Sequence, residues 1–339
     1  MANKKTTIKD IARDCGVGLG TVSRAINGQP GVKDEVRRKI LQYIEDVGWR
    51  SNSLYPRLKI SEAGQTVVFI ASTSTLERKF DNDLPRMLIE QVIGSGFSPV
   101  VLYGQSRENL ERCVAIKPYA VILIGVSSFQ KEPVEALLNS GIRVVGVGEC
   151  DDFAGPLVFP AHREAARRAV TVLKNAGHEQ IGFLGGMGIR KKVGHVEDIA
   201  IRRIREILYG ICDAHPGFDV TADAVSDCFS DLDGLRRKLK TGHHTAWLCS
   251  DEKMCRQFLY CAAELNIAIP DEVSLVSFTP DLPFYSFTHD VTRFYPDNAA
   301  QAARVRELLE ADAVVQPEIC LSDCLFHQGA TVTNLNQRN

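Results

Sequence analysis

The sequence predicts an α/β protein: a small three-helix head followed by a long body of parallel sheet covered by helices. Three observations predict it. The chain has 339 residues, 45% of them hydrophobic and 24% charged, which is the composition of a folded chain of two or three domains. Apolar residues recur with a helical period up to about residue 50. Beyond residue 65 they form short continuous runs separated by helix-patterned segments. Charge divides at the same place. Residues 1–60 hold 12 Lys and Arg against 6 Asp and Glu, whereas residues 61–339 hold 28 against 36. A basic head on an acidic body points to an anionic polymer partner at one end.

In the head, Thr7 is placed to cap a first helix, with Asp10 three residues on and Ile8, Ile11 and Ala12 forming one apolar face. Gly16-Val17-Gly18 reads as a tight turn. A second helix starts at about Leu19, with Val22, Ala25 and Ile26 inward and Thr21, Ser23 and Arg24 on the polar face. Asn27-Gly28-Gln29-Pro30-Gly31 is built from turn residues. The third helix starts near Asp34, burying Val36, Ile40, Ile44 and Val47 and exposing Arg37, Arg38 and Lys39. Two helices joined by a short glycine turn make a helix-turn-helix, whose second helix enters the DNA major groove. Its leading residues are Leu19, Gly20, Thr21 and, one turn on, Arg24. Arg can grip guanine bidentately, Leu can meet a thymine methyl, and Gly permits close approach.

In the body, strands are expected at Thr66–Ala71, Pro99–Tyr103, Ala120–Gly125 and Arg143–Gly148, with helices near 83–95, 106–116 and 131–139. The scheme repeats: a helix at 162–176, strands at Gln180–Gly186, Ala224–Cys228, Ala246–Cys249 and Ser274–Phe278, and helices near 198–214, 232–240 and 252–265. Fully apolar strands alternating with helices signal a parallel sheet covered on both faces. Gly329–Asn339 reads as a polar tail.

Several chemistries find no support. The ten cysteines show no C-x-x-C or zinc-finger spacing and read as reduced, small apolar side chains. Gly185-Gly186-Met187-Gly188 lacks the Gly-Lys-Ser/Thr of a phosphate loop and reads as turn glycines. No apolar run approaches a membrane span, and the segment after Met1 lacks the apolar core of a secretory signal. The expectation is a cytoplasmic protein that is not an enzyme, with no cofactor, metal or membrane partner.

Thr7-Ile8-Lys9-Asp10-Ile11-Ala12, Gly16-Val17, Thr21-Val22-Ser23-Arg24-Ala25-Ile26-Asn27 and Gly48-Trp49-Arg50-x-Asn52 resemble the head of a LacI/GalR-family transcriptional regulator. The resemblance implies a body of two doubly wound lobes of the periplasmic-binding-protein type enclosing an effector cleft. Scattered body matches agree: Arg163-Glu164-Ala165-Ala166, Gly177-His178 and Ile269-Pro270-Asp271-Glu272-Val273-Ser274. The implied organisation is a DNA-binding head at 1–50, a hinge at 51–64 and an effector and dimerisation domain at 65–339. Lobe 1 takes about 65–159 and 293–325, lobe 2 about 160–292, with crossings near 152–160 and 287–296.

The resemblance also implies site residues. For DNA these are Thr7, Lys9, Leu19, Gly20, Thr21, Ser23, Arg24, Asn27, Lys33, Arg50, Asn52 and Leu58. Leu19 and Gly20 stand where relatives vary to choose an operator. Lys33 replaces a usual Ser cap on the third helix, and Asp34 can partly substitute. Leu58 matches an apolar wedge that enters the minor groove from a short hinge helix. Pro56 departs from the pattern, because proline is tolerated only in a helix's first turn. Either the hinge helix begins at Pro56 or it does not form.

For the effector, Phe80 matches a pocket aromatic. Ala161-His162 replaces a usual Asp-Asn pair, Ser250-Asp251 replaces Asn-Asp, and Thr279 replaces an Asp. Ile201, Arg202 or Arg203 aligns with a common pocket Arg. The expected cleft residues are therefore Phe80, His162, Arg202, Arg203, Asp251 and Thr279. With those carboxylates gone, an unmodified sugar fits poorly, since a site built for hydroxyls needs its acceptors. A sugar acid, a sugar phosphate, another anion and no ligand at all stay open. The function implied is a homodimeric regulator, expected as a repressor, on a near-palindromic double-stranded operator. A periplasmic solute-binding protein is the remote alternative, disfavoured by the basic head.

Overall fold

The structure is a computed structural model. It describes residues 8–26, 31–46, 66–71, 83–104, 106–126, 129–185, 201–225, 232–279, 290–311 and 317–337. The chain forms two compact units, Met1–Glu62 and Ala63–Asn339.

The first unit holds α1 (Ile8–Cys15), α2 (Leu19–Ile26) and α3 (Asp34–Asp46). Among the described residues its core comprises Ile11, Ala12, Cys15, Val22, Ala25 and Ile40, flanked by Val17, Val32, Val36 and Tyr43. Gly16 ends α1 at φ 69°. Its N–H donates to Arg13 O, and the Val17 N–H donates to Ala12 O. This left-handed glycine cap breaks the helix at the intended turn. Asp34 lies within the first turn of α3 rather than before it, so its carboxylate acts on the helix dipole beside exposed Lys33.

The second unit contains two six-stranded sheets. The first joins β1 (Thr66–Ala71), β2 (Ser98–Tyr103), β3 (Ala120–Ile124), β4 (Arg143–Val147), β5 (Leu157–Pro160) and β11 (Ile319–Ser322), in the order β11-β5-β4-β3-β1-β2. The second joins β6 (Ile181–Leu184), β7 (Ala224–Val225), β8 (Ala246–Cys249), β9 (Ser274–Phe278), β10 (Thr292–Pro296) and β12 (Cys324–His327), in the order β12-β10-β9-β8-β6-β7. All pairings are parallel except β10 with β12.

The helices are α4 (Leu84–Gly94), α5 (Arg107–Ile116), α6 (Lys131–Leu138), α7 (His162–Asn175), α8 (Arg202–Ala214), α9 (Val220–Asp223), α10 (Asp233–Thr241), α11 (Glu252–Glu264) and α12 (Asn298–Glu310). They cover both faces of the sheets, which explains the unbroken apolar strands. Along β1, Val67, Phe69 and Ala71 pack with Leu88 of α4 and Val305 of α12. Val68 and Ile70 point the other way, toward Leu110 of α5 and Leu137 of α6. In the second sheet Ile181 and Phe183 meet α7 and α8, while Trp247 meets α11. A Cβ on Gly182 would lie 2.7 Å from the Trp247 ring. One on Gly210 would lie 2.2 Å from Arg163 O, so α7 and α8 approach through this glycine. Burial pushes the thiols of Cys113, Cys255 and Cys324 up to about 12, consistent with cysteines acting as small apolar side chains.

Three features differ from the sequence reading. Strand β10 belongs to the second sheet, so the later crossing falls between Pro296 and Asn298 rather than before residue 293. The chain then crosses again between β11 and β12, which split one short segment between the two sheets. The C-terminal residues are not a loose tail. Thr331 is fully buried, its hydroxyl donating to Leu275 O and accepting from the Thr292 N–H. Polar side chains here bond to the sheet's backbone, which their polarity alone does not reveal. Among the described residues no helix is long and apolar enough to cross a membrane.

Candidate DNA-reading helix and lobe-junction cleft

In the head, Gly18 O accepts from the N–H groups of Thr21 and Val22 and opens α2. Val22 and Ala25 go into the core, so the opposite face of the helix points outward. Leu19 is 46% exposed. Gly20 and Arg24 are exposed and Thr21 is half-buried. Arg24 makes no ion pair among the described residues; its guanidinium lies over Gly20 and Gly31.

The cations of α3 behave differently. Arg37 is half-buried, not free as its position suggested, and donates to Ala25 O near the end of α2. Lys39 donates to Cys15 O at the end of α1. Both complement the negative end of a helix dipole. Arg38 remains exposed. Thr7, Asn27, Arg50, Asn52, Pro56, Leu58 and Phe80 lie outside the described residues, as do the side chains of Lys9 and Ser23.

In the body, four of the six expected cleft residues come together in two groups. His162 opens α7, buried edge-on against Phe159 at 5.2 Å between ring centres. Burial, and then the charge of Arg203, holds its imidazole down at about 3, so it is neutral. Arg202 stacks over the same Phe159 ring at 5.1 Å and donates to Cys150 O at 2.8 Å. Between them lies a hollow of about 430 Å³, walled also by Arg167, Glu206 and the exposed Ile319 and Leu321 of edge strand β11.

The second group is ionic. Arg203 Nε lies 3.4 Å from Glu149 Oε1, and its NH2 lies 3.4 Å from Asp251 Oδ2. Asp251 is also the cap of α11: Oδ1 accepts from the Met254 N–H at 2.9 Å, and Oδ2 accepts from the Ser250 hydroxyl. Arg205 pairs with Asp151, which also lies 3.7 Å from Arg202. Thr279 is fully buried at the end of β9, its hydroxyl without a partner among the described residues.

Sequence reading missed Glu149, Cys150 and Asp151. They belong to lobe 1 and hold the three arginines of lobe 2 across the junction. The available signal was position. An acidic run directly after the apolar strand β4 sits at a strand's carboxyl end, where doubly wound sheets place their sites.

A helix-turn-helix head joined to a two-lobed, doubly wound body defines a class: DNA-binding regulators built on a ligand-binding fold. Residues 7–52 match the model of bacterial regulatory proteins of the lacI family, and residues 170–314 match the periplasmic binding protein-like domain. The chain is 28% identical to the HTH-type transcriptional regulator reg1 of Streptomyces lividans over 320 residues, covering 90% of each chain. It is 24% identical to catabolite control protein A of Priestia megaterium over 280 residues, covering 80% of this chain and 82% of that one. Its fold matches the lac repressor dimer bound to operator and the anti-inducer ONPF, with a TM-score of 0.60, 17% identity and coverage of 97% and 100%. Residues 7–52 thus form a DNA-binding head of the lacI type, and the chain is a DNA-binding transcriptional regulator similar along most of its length to regulators of that kind.

Proposed function

We propose that the protein is a cytoplasmic, non-enzymatic repressor that grips a near-palindromic operator as a homodimer. Its affinity for that operator is set by a small anionic or carbohydrate-derived molecule at the lobe junction. The observation that carries the first part is the outward face of α2: Leu19, Gly20 and Arg24 exposed, with Arg24 free of acid partners among the described residues. In this reading Arg24 takes guanine O6 and N7, Leu19 meets a thymine methyl and Gly20 lets the helix approach. Thr21, Ser23 and Asn27 touch phosphates or bases. Thr7, Lys9, Lys33, Arg50 and Asn52 hold flanking DNA, and Leu58 wedges into the minor groove. A twofold dimer matches a twofold operator. Titrating duplexes selected from a random library by fluorescence anisotropy tests this. Binding should fall steeply with salt, and a chain that ignores every duplex at low ionic strength would refute it.

The effector rests on His162, Arg202, Arg203, Asp251, Thr279 and Phe80. The neutral, buried His162 offers no proton poised for catalysis near pH 7, in keeping with a binding role. A ligand acts allosterically only if it separates the open and closed lobes energetically.

A second reading has its own support. Glu149, Asp151 and Asp251 already neutralise the three arginines, which favours a cleft that needs no ligand. A thermal-shift screen of sugar acids and sugar phosphates separates the two. Stabilisation by one compound, lost in Arg203→Gln, supports the effector. No shift across the screen supports the self-closed cleft.

A further inference from the structure

We propose that Asp223, His243 and His244, on the face of lobe 2 beside edge strand β7, form a binding site for one divalent first-row transition-metal ion of the zinc class. One carboxylate oxygen and two imidazole nitrogens from these residues lie within 4.8 Å of one another. Among the described residues this is the one grouping of three such ligands. The site involves none of the DNA-facing or lobe-junction residues, so it stands apart from the effector reading.

The geometry is that of a prepared ligand set. Asp223 Oδ2 accepts from the Asp219 N–H at 2.8 Å, which turns Oδ1 toward His244 Nε2 at 2.9 Å. Asp219 itself is held as the cap of α9, accepting from the N–H groups of Thr221 and Ala222. A ligating carboxylate whose second oxygen is fixed by a hydrogen bond is what metal sites require of their surroundings.

The His244 ring is buried, 5.0 Å from the Trp247 ring and 4.9 Å from the His243 ring. Its Nδ1 has no hydrogen-bond partner among the described residues. The proton can therefore sit on Nδ1 while Nε2 coordinates. His243 is exposed and supplies the adjustable third ligand.

Bonds of about 2.0–2.2 Å to a common ion require only a small inward turn of these side chains. Two imidazoles and a carboxylate suit zinc, cobalt, nickel or copper better than magnesium or calcium. Three protein ligands leave a fourth position for water or a small donor. The ion would staple the end of α9, where β7 begins, to the loop leading into β8. Lys238, which donates to Ala222 O, places a positive charge nearby that weakens the site.

The test titrates the tag-free full chain with Co²⁺ followed by visible absorption, and with Zn²⁺ followed by calorimetry. One equivalent should bind, giving cobalt ligand-field bands without the near-ultraviolet charge-transfer band of a thiolate. Zn²⁺ should raise Tm. Asp223→Asn keeps an acceptor for the Asp219 N–H, and His243→Ala alters an exposed side chain, so both should fold and melt like the parent without metal. Each should weaken binding by at least about tenfold and abolish the Tm rise. Lys238→Met should tighten it. No binding by the parent, binding unchanged in both variants, or a thiolate band would overturn the proposal.

Discussion

The arginines of the head and those of the lobe junction occupy opposite electrostatic situations. Arg24 stands on an exposed helix face with no acid beside it among the described residues. Arg202, Arg203 and Arg205 are partly covered and met by Glu149, Asp151, Asp251 and the Cys150 carbonyl. Both groups lie at elements suited to anions. A cation without an internal partner is available to an external one, such as a polyanion. A cation already paired binds an outside anion only by displacing a carboxylate, so it responds weakly unless the ligand offers more contacts. The two units differ in core as well: among the described residues six buried side chains hold the head, whereas each sheet of the body has apolar packing on both faces.

The comparison can be broken most severely at the head's core. Ile40→Ala should cost about 2–5 kcal/mol, more than so small a core can spare. Operator binding should disappear while the body's melting transition, followed by calorimetry, stays in place. A body transition that falls in parallel would show that the units are not energetically separate.

Next in size is Arg24→Ala, which should weaken operator binding by about 1–3 kcal/mol and relax preference at one base pair. Binding isotherms on single-base operator variants measure both. Equal weakening on every sequence would move Arg24 from base reading to phosphate contact.

The third prediction concerns pH. His162 is neutral in the folded chain down to about 3, whereas an unfolded His takes up its proton near 6.5. The unfolded state therefore binds more protons between those values, and stability falls as pH drops below 6.5. The slope approaches about 1.4 kcal/mol per pH unit at most. Urea denaturation from pH 7.5 to 5 should show it, and His162→Gln should flatten this part of the curve.

The smallest effect sharpens the contrast itself. Glu149→Gln leaves Arg203 paired only with Asp251. Because the pair is partly exposed, stability should change by under about 1 kcal/mol. The protection given by added inorganic phosphate in a melting assay should increase. Unchanged phosphate sensitivity would mean that Arg203 is not held in reserve by Glu149.

Much of the architecture was legible because local pattern and tertiary role coincide. The helices of the head follow from apolar spacing and the Gly16 turn, and strands such as Thr66–Ala71 and Ala246–Cys249 from unbroken apolar runs. Strands β5, β11 and β12 were not legible. They are four residues long; β11 alternates exposed with buried positions, and β12 buries only Cys324, both at sheet edges. Nothing local distinguishes them from a connection. In the cleft, positions such as His162 and Asp251 could be placed from the resemblance. Glu149 and Asp151 could not, because an acidic run after a strand has no partner until the second lobe supplies one.

By itself the sequence determined the helix-turn-helix head and the alternating order of the body, since each depends on contacts within a few tens of residues. Only the tertiary structure decided which lobe owns each late strand, that the polar end of the chain is buried, and that the cleft arginines carry their own counter-charges. Those outcomes depend on pairings between segments up to about 160 residues apart, such as Arg168 with Cys324 O, and on burial. Burial fixes whether a charge or a hydroxyl finds its partner in water or in the protein.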